Sequence, residues 1–204
     1  SDKTVADLFK MMKAFSNRAT DQSEKHGFPV TYSDQATLSA FSESVIWIGQ
    51  SSILLNHNGV TILTDPHFSG RASPIGFAGP KRVTLAPFEI SDLPVVDVVL
   101  ISHNHYDHLD RTSIVDLIAY QPSIKFFVPL GLAKTLREWG ANDVTELDWW
   151  QAAMLNEIEI QPTPVQHWSK RSFFDRNKSL WAGWMMKWSD FSFYFAGDSG
   201  YSDD

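Results

Sequence analysis

A chain of 204 residues, 43% hydrophobic and 20% charged, is long enough to bury a substantial core as one globular domain, and its formal net charge of −7 leaves no global positive field to neutralise a nucleic-acid backbone. The absence of cysteine excludes disulfides and thiolate metal ligands. No apolar run is long enough to span a bilayer and there is no signal-peptide pattern, so the compartment stays open, with cytoplasmic or membrane-associated placement favoured.

The first predicted element is an amphipathic helix over Thr4–Phe15, with Val5, Leu8, Phe9, Met12 and Phe15 on one stripe. Its mixed charges favour docking on the body over lying on a membrane surface. Residues 16–42 read as a polar wrapping linker, so residues 1–44 precede a domain at 45–204. Between Val45 and Thr64 three short strands follow, VIWI, SILLN and VTILT, the last two joined by a hairpin turn at His57-Asn58-Gly59. The third strand delivers Asp65. Residues 66–94 form a long proline- and glycine-rich loop, a length that in a compact domain goes with function or mobility.

Val95–Ile101, VVDVVLI, is an apolar β-branched run that reads as a buried strand. It ends on SHNHYDHLD, Ser102–Asp110. Asp110 is a predicted N-cap for RTSIVDLIAY, where Ile114, Leu117 and Ile118 share a helical face. Then come a strand at Ile124–Pro129, a helix at Gly131–Trp139 and a short strand at Val144–Leu147, an alternation that points to α/β or α+β. The last third is strand-like, in EIEIQPTP, LWAGWMMKW and FSFYFAG, and leads to Asp198.

SHNHYDHLD packs three histidines and two aspartates into nine residues at a strand's exit. Imidazole and carboxylate are the ligands a zinc-like divalent ion takes when thiolates are absent. His103 and His105 alternate in an extended segment and can point the same way, while Asp107 and His108 follow as the loop turns, so one stretch can serve two adjacent metal positions. Solvated or hydrogen-bonded histidines are the competing reading, but such groups concentrated without an ion would repel one another. On residues alone, His167 after EIEIQPTP could be structural, Asp198 a turn residue beside Gly197 and Gly200, and Asp65 a cap before Pro66.

H-x-H-x-D-H after an apolar strand resembles the metallo-β-lactamase superfamily, which implies an α+β fold, a four-layer αββα sandwich with a metal centre at one edge of its paired sheets. The stretches LTDPHFSGRASP, GPKR, LPVVDVVLISHNHYDHLD, FVPLGL, ELDWW, QHWSKR and FAGDSGY are similar to the N-acylphosphatidylethanolamine-hydrolysing phospholipase D family, over about Val45–Tyr201. The resemblance implies two zinc ions: His103, His105 and His167 on one, Asp107 and His108 on the other, and Asp198 bridging both. Asp65 would orient the ligand loop by hydrogen bonds, and Asp107 would also handle a proton in catalysis. The implied activity is hydrolysis of a phospholipid phosphodiester, with membrane-surface contact, with a homo-oligomer allowed and no nucleic-acid partner.

The family completes its second zinc with a histidine from a later segment, and this sequence stops at Asp204 without it. The expectation is therefore an N-terminal portion of the fold whose second metal is held loosely and which alone has little activity. Lactonase, lactamase or nuclease chemistry on the same fold is an alternative, as is a non-catalytic metal-binding fragment. Arg71, Lys81 and Arg82 fit either an anionic head group or a solvated patch. The eight tryptophans are expected mostly in the core.

Overall fold

The hydrophobic pattern becomes ten strands and three helices in a computed structural model that describes residues 30–40 and 42–201. The helix expected at Thr4–Phe15 lies outside the described residues. Part of the expected linker is in fact helical: α1, Gln35–Ser39, is capped by the Asp34 carboxylate, which accepts the Thr37 N–H at 2.8 Å. Leu38 anchors it in the core.

Three strands follow as expected, β1 (Ser44–Gly49), β2 (Ser52–His57) and β3 (Val60–Thr64), paired antiparallel. Asn58 and Gly59 have φ of 49° and 72°, the left-handed pair of a two-residue hairpin turn. From β3 the sheet continues in parallel through β4 (Val98–Leu100), β5 (Lys125–Pro129) and β6 (Asp143–Leu147), giving the order β1-β2-β3-β4-β5-β6. The crossovers are made by α2 (Arg111–Tyr120) and α3 (Ala133–Glu138). β4 is shorter than the apolar run predicted, because Asp97 turns its carboxylate onto the Thr61 N–H at 2.9 Å and Val95 faces solvent.

The second sheet is antiparallel, in the order β10-β9-β8-β7, from β7 (Ala153–Leu155), β8 (Ile158–Thr163), β9 (Gly183–Lys187) and β10 (Ser192–Phe195). The two sheets pack face to face: Leu55, Ile62, Val98, Leu100 and Phe127 meet Ile158, Ile160, Trp184, Met186 and Phe195. The other face of the first sheet, through Leu54, Leu63, Val99, Phe126 and Val128, packs on Ile114, Leu117 and Leu136 of α2 and α3. Burial on both faces is why the parallel strands are continuously apolar. Among the described residues no helix covers the outer face of the second sheet, so the layers are α, β and β, three of the four expected.

Asp110 caps α2 as predicted. Its Oδ2 accepts the Ser113 N–H and hydroxyl, and also the Ser69 hydroxyl at 2.6 Å, so it ties the long loop to the helix. Asp110→Ala is expected to lower stability by about 2 kcal/mol, the upper end for loss of an N-cap. Urea unfolding of the two proteins would check this.

Candidate metal centre

Parallel strands place their following loops at one sheet edge. β3 delivers Asp65 there, and β4 delivers Ser102 and the histidine loop. From the second sheet, β8 leads to His167 and β10 to Asp198. Gly197 has φ of 60°, and a Cβ on it would stand 2.7 Å from that of Ser102; glycine is what lets the second sheet bring Asp198 against the first.

His103 Nε2, His105 Nδ1 and His167 Nε2 converge, with separations of 2.7, 3.1 and 3.2 Å. Asp198 joins them, its Oδ2 3.7 Å from His167 Nε2, and all four ligand atoms lie within 4.8 Å of one another. Three imidazole nitrogens in a triangle have too few protons to satisfy one another by hydrogen bonds. A tetrahedral ion with bonds of about 2.0–2.1 Å sets its ligands roughly 3.3 Å apart, close to this spacing. Beside them, His108 Nε2 is buried without a hydrogen-bond acceptor and faces Asp198 Oδ1 at 3.3 Å and Asp107 Oδ2 at 3.7 Å. The residues therefore fit a divalent ion at the first cluster, with a second cation position bordered by His108, Asp107 and Asp198.

Asp65 is fully buried and uses its oxygens otherwise. It accepts the Ser102 N–H at 2.7 Å, the Ser102 hydroxyl and His108 Nδ1–H at 2.7 Å. Asp65, His103 and His108 also bring ligand atoms together, but these three hydrogen bonds leave Asp65 the role of orienting His108 rather than binding an ion. Burial pushes the Asp65 carboxyl up, outweighing His108 and the Ser102 donors, which pull it down.

Burial and the neighbouring His108, His105 and His167 drive His103 down to about 2, and burial with His167 takes His105 down to about 4. His167 is lowered by burial as well. Burial also pulls on His108, but Asp198 and Asp65 outweigh it and raise it to about 10; Asp198 falls to about 2 opposite it. The approach of His108 to Asp198 is one of charge, without hydrogen-bond alignment. At neutral pH the first three nitrogens thus offer lone pairs directly, whereas His108 must release a proton before it can bind a cation.

Asp107 stands at the rim. It lies outside the converging ligand sets, and Gln50 Nε2 donates to its Oδ2 at 2.9 Å. Gln50 was not foreseen in the sequence; its φ of 53° in the β1–β2 turn is what aims it. Ser102, also unforeseen, links Asp65 to His103 through its hydroxyl. Arg171 was hidden in the basic stretch after His167. It donates to the carbonyls of Asn104 and Leu109 and packs on the Tyr106 ring, so it holds the histidine loop from the other side. Arg82 is likewise engaged, with the carbonyls of Ile48, His67 and Thr84, and Arg71 donates to the Gly79 carbonyl.

Residues 60–204 match the beta-lactamase superfamily domain. An uncharacterized protein of Mycobacterium tuberculosis is 43% identical over 161 residues, covering 78% of this chain and 43% of that protein. The N-acyl-phosphatidylethanolamine-hydrolyzing phospholipase D 1 of Caenorhabditis elegans is 40% identical over 166 residues, 77% of this chain and 47% of that protein. The chain thus spans somewhat less than half the length of these relatives. A metallo hydrolase from the archaeon Ignicoccus hospitalis shares the fold, with a TM-score of 0.59 at 22% identity over 78% of this chain and 62% of that one.

Proposed function

This chain belongs to the metallo-β-lactamase superfamily, and from that premise we propose that it is the metal-binding part of a hydrolase that cleaves a phospholipid phosphodiester of the N-acylphosphatidylethanolamine type. The observation that carries the reading is the Asp198 carboxylate, one oxygen toward His167 and the other toward His108, an arrangement suited to spanning two cations. The 40% identity to the nematode phospholipase D directs the choice of substrate. Zinc is the metal proposed, since imidazole and carboxylate without thiolate suit it; iron and manganese accept related donors.

When bound, a divalent pair supplies Lewis acidity and brings the pKa of a water toward about 7. The chain's own residues do the rest. His103, His105, His167 and Asp198 would hold one ion and His108, Asp107 and Asp198 the other. Asp65 fixes the ring of His108, and the Asp107 carboxylate, steadied by Gln50, would take the proton of the attacking water as the P–O bond to the alcohol breaks and return it to the departing alkoxide oxygen. A cavity of about 390 Å³ opens beside Asp107, lined by Trp47, His67, Lys81 and Val83 among others, where a substrate's alkyl and anionic parts can both be received.

The complete hydrolase of which we propose this chain to be the metal-binding part should cleave a phosphodiester lipid at neutral pH, lose that activity to a chelator and regain it with added zinc, whereas this chain alone should show little activity. Assayed beside a lactone and a β-lactam, turnover of either of those with an intact phosphodiester would reject the substrate and leave the metal centre standing.

A further inference from the structure

GPKR, read from the sequence as a head-group contact or a solvated patch, is neither at its arginine. The Arg82 guanidinium is half-buried and divides its three nitrogens among three segments of backbone. Nε donates to the Thr84 carbonyl at 2.7 Å, Nη1 to the His67 carbonyl two residues beyond Asp65, and Nη2 to the Ile48 carbonyl at 3.0 Å. A rigid planar fork suits three acceptors spread in this way, where an ammonium offers one compact charge.

Ile48 is the contact with consequences. β1 and β2 pair Trp47 with Ile53 but Gly49 with Ser52, so Ile48 is the extra residue of a β-bulge. A bulge bends its strand and re-aims the side chains beside it. Two positions on, Gln50 has a φ of 53° and donates Nε2 to Asp107 Oδ2 at 2.9 Å, while its own carbonyl takes the Trp47 indole N–H at 2.8 Å and closes the turn. Gly49 stands between clamp and turn. A Cβ there would lie 2.5 Å from Arg82 Nη2, so the position that the guanidinium passes carries no side chain. Gly49, Gln50, Arg82 and Asp107 all face the one cavity beside the metal centre.

We propose that Arg82 is a positioning residue for Asp107: by holding the Ile48 bulge against the loop that leaves Asp65, it sets the turn that aims Gln50, and Gln50 steadies the carboxylate at the second cation position. What the carboxylate does there rests on the hydrolase reading above; the line of contacts from Arg82 to Asp107 does not.

Arg82→Lys keeps the charge and gives up the fork. In the metal-free protein the first readout is the Gln50 side-chain amide in a nitrogen–proton correlation spectrum, assigned by its loss in Gln50→Ala; the signal should leave its native position for that of a solvated glutamine. The second readout is zinc titration by calorimetry. The position bordered by Asp107, His108 and Asp198 should lose about tenfold in affinity, the lower end for an orienting partner, while the position of His103, His105, His167 and Asp198 keeps its own. Gln50→Ala should lose as much, and the double variant no more than either alone, because both substitutions release the same carboxylate. Gly49→Ala drives Nη2 off Ile48 from the other side. It should reproduce the selective loss, and it carries the test if Arg82→Lys does not fold. An unmoved Gln50 amide overturns the proposal. So do equal losses at both positions, which would make Arg82 a general support, and a double variant whose loss is the product of the single ones. One zinc only in the unaltered chain, with the Gln50 amide moving as expected, would instead reject the second cation and retain Arg82 as the residue that sets Gln50 on Asp107.

Discussion

Asp65→Ala is expected to cost about 3–5 kcal/mol of stability, the range for removing one partner from a buried charged pair. The Asp65 side chain accepts from three buried donors: the Ser102 N–H, the Ser102 hydroxyl and His108 Nδ1–H. Truncation strands them together in a site with no exposure. The residue also sits at a φ of 35°, which alanine tolerates less well than aspartate. Asp65→Asn keeps the shape and should lose less stability, but its amide cannot accept from all three donors as a carboxylate does. For that variant we expect metal affinity to fall by about 10–100-fold, as when a ligating imidazole loses its orienting partner. Urea unfolding of the metal-free proteins and metal titration of the native ones separate the two effects. An Asp65→Asn protein with unchanged affinity would remove Asp65 from the metal centre and leave it a packing role.

His103→Ala should have the larger effect on metal. His103 is the residue from which the cluster is built: Nε2 meets both His105 and His167, and Nδ1 is held by Ser102. Its loss leaves the first position two nitrogens and one carboxylate, and affinity there should fall by more than about 100-fold, beyond the cost of losing an outer partner. Hydrolysis should fall with it. His57→Ala is the control, since His57 lies at the other end of the sheets against Trp188, Phe191 and Glu43. Elemental analysis after gel filtration reads the result. Full metal content in His103→Ala would mean that the ligands have been wrongly assigned.

The parts of this molecule that local chemistry dictates were legible in the sequence. The turn at Asn58-Gly59, the cap at Asp110 and the helix it starts are decided within a few residues of chain, and the structure has them where the sequence puts them. The histidine loop was legible because its residue types have few other uses at that density. What was not legible depends on distance in space. Nothing near Gln50 announces that it meets Asp107 from 57 residues away, and Arg171 reads as one of several surface cations until its carbonyl partners are known. β7 was missed because AML is short and its Met154 is exposed, so it carries too little pattern to stand apart from the turns around it. Asp107 is the instructive case: resemblance makes it a metal ligand, while its carboxylate is shared between a glutamine and the approach to His108.

The ligands of the first position come from both sheets, His103 and His105 from one and His167 and Asp198 from the other. An ion bound there is therefore a thermodynamic tether across the seam, and its concentration becomes a variable of folding. At about a thousand times its dissociation constant, a ligand specific to the native state adds roughly 4 kcal/mol. That increment would go to the cohesion between layers rather than to either layer alone, so amides on β9 and β10 would slow their hydrogen exchange in step with those on β4 as metal is added. In a metal-poor cell the same seam would be the place where the molecule opens, making its abundance, as well as its activity, a readout of metal supply.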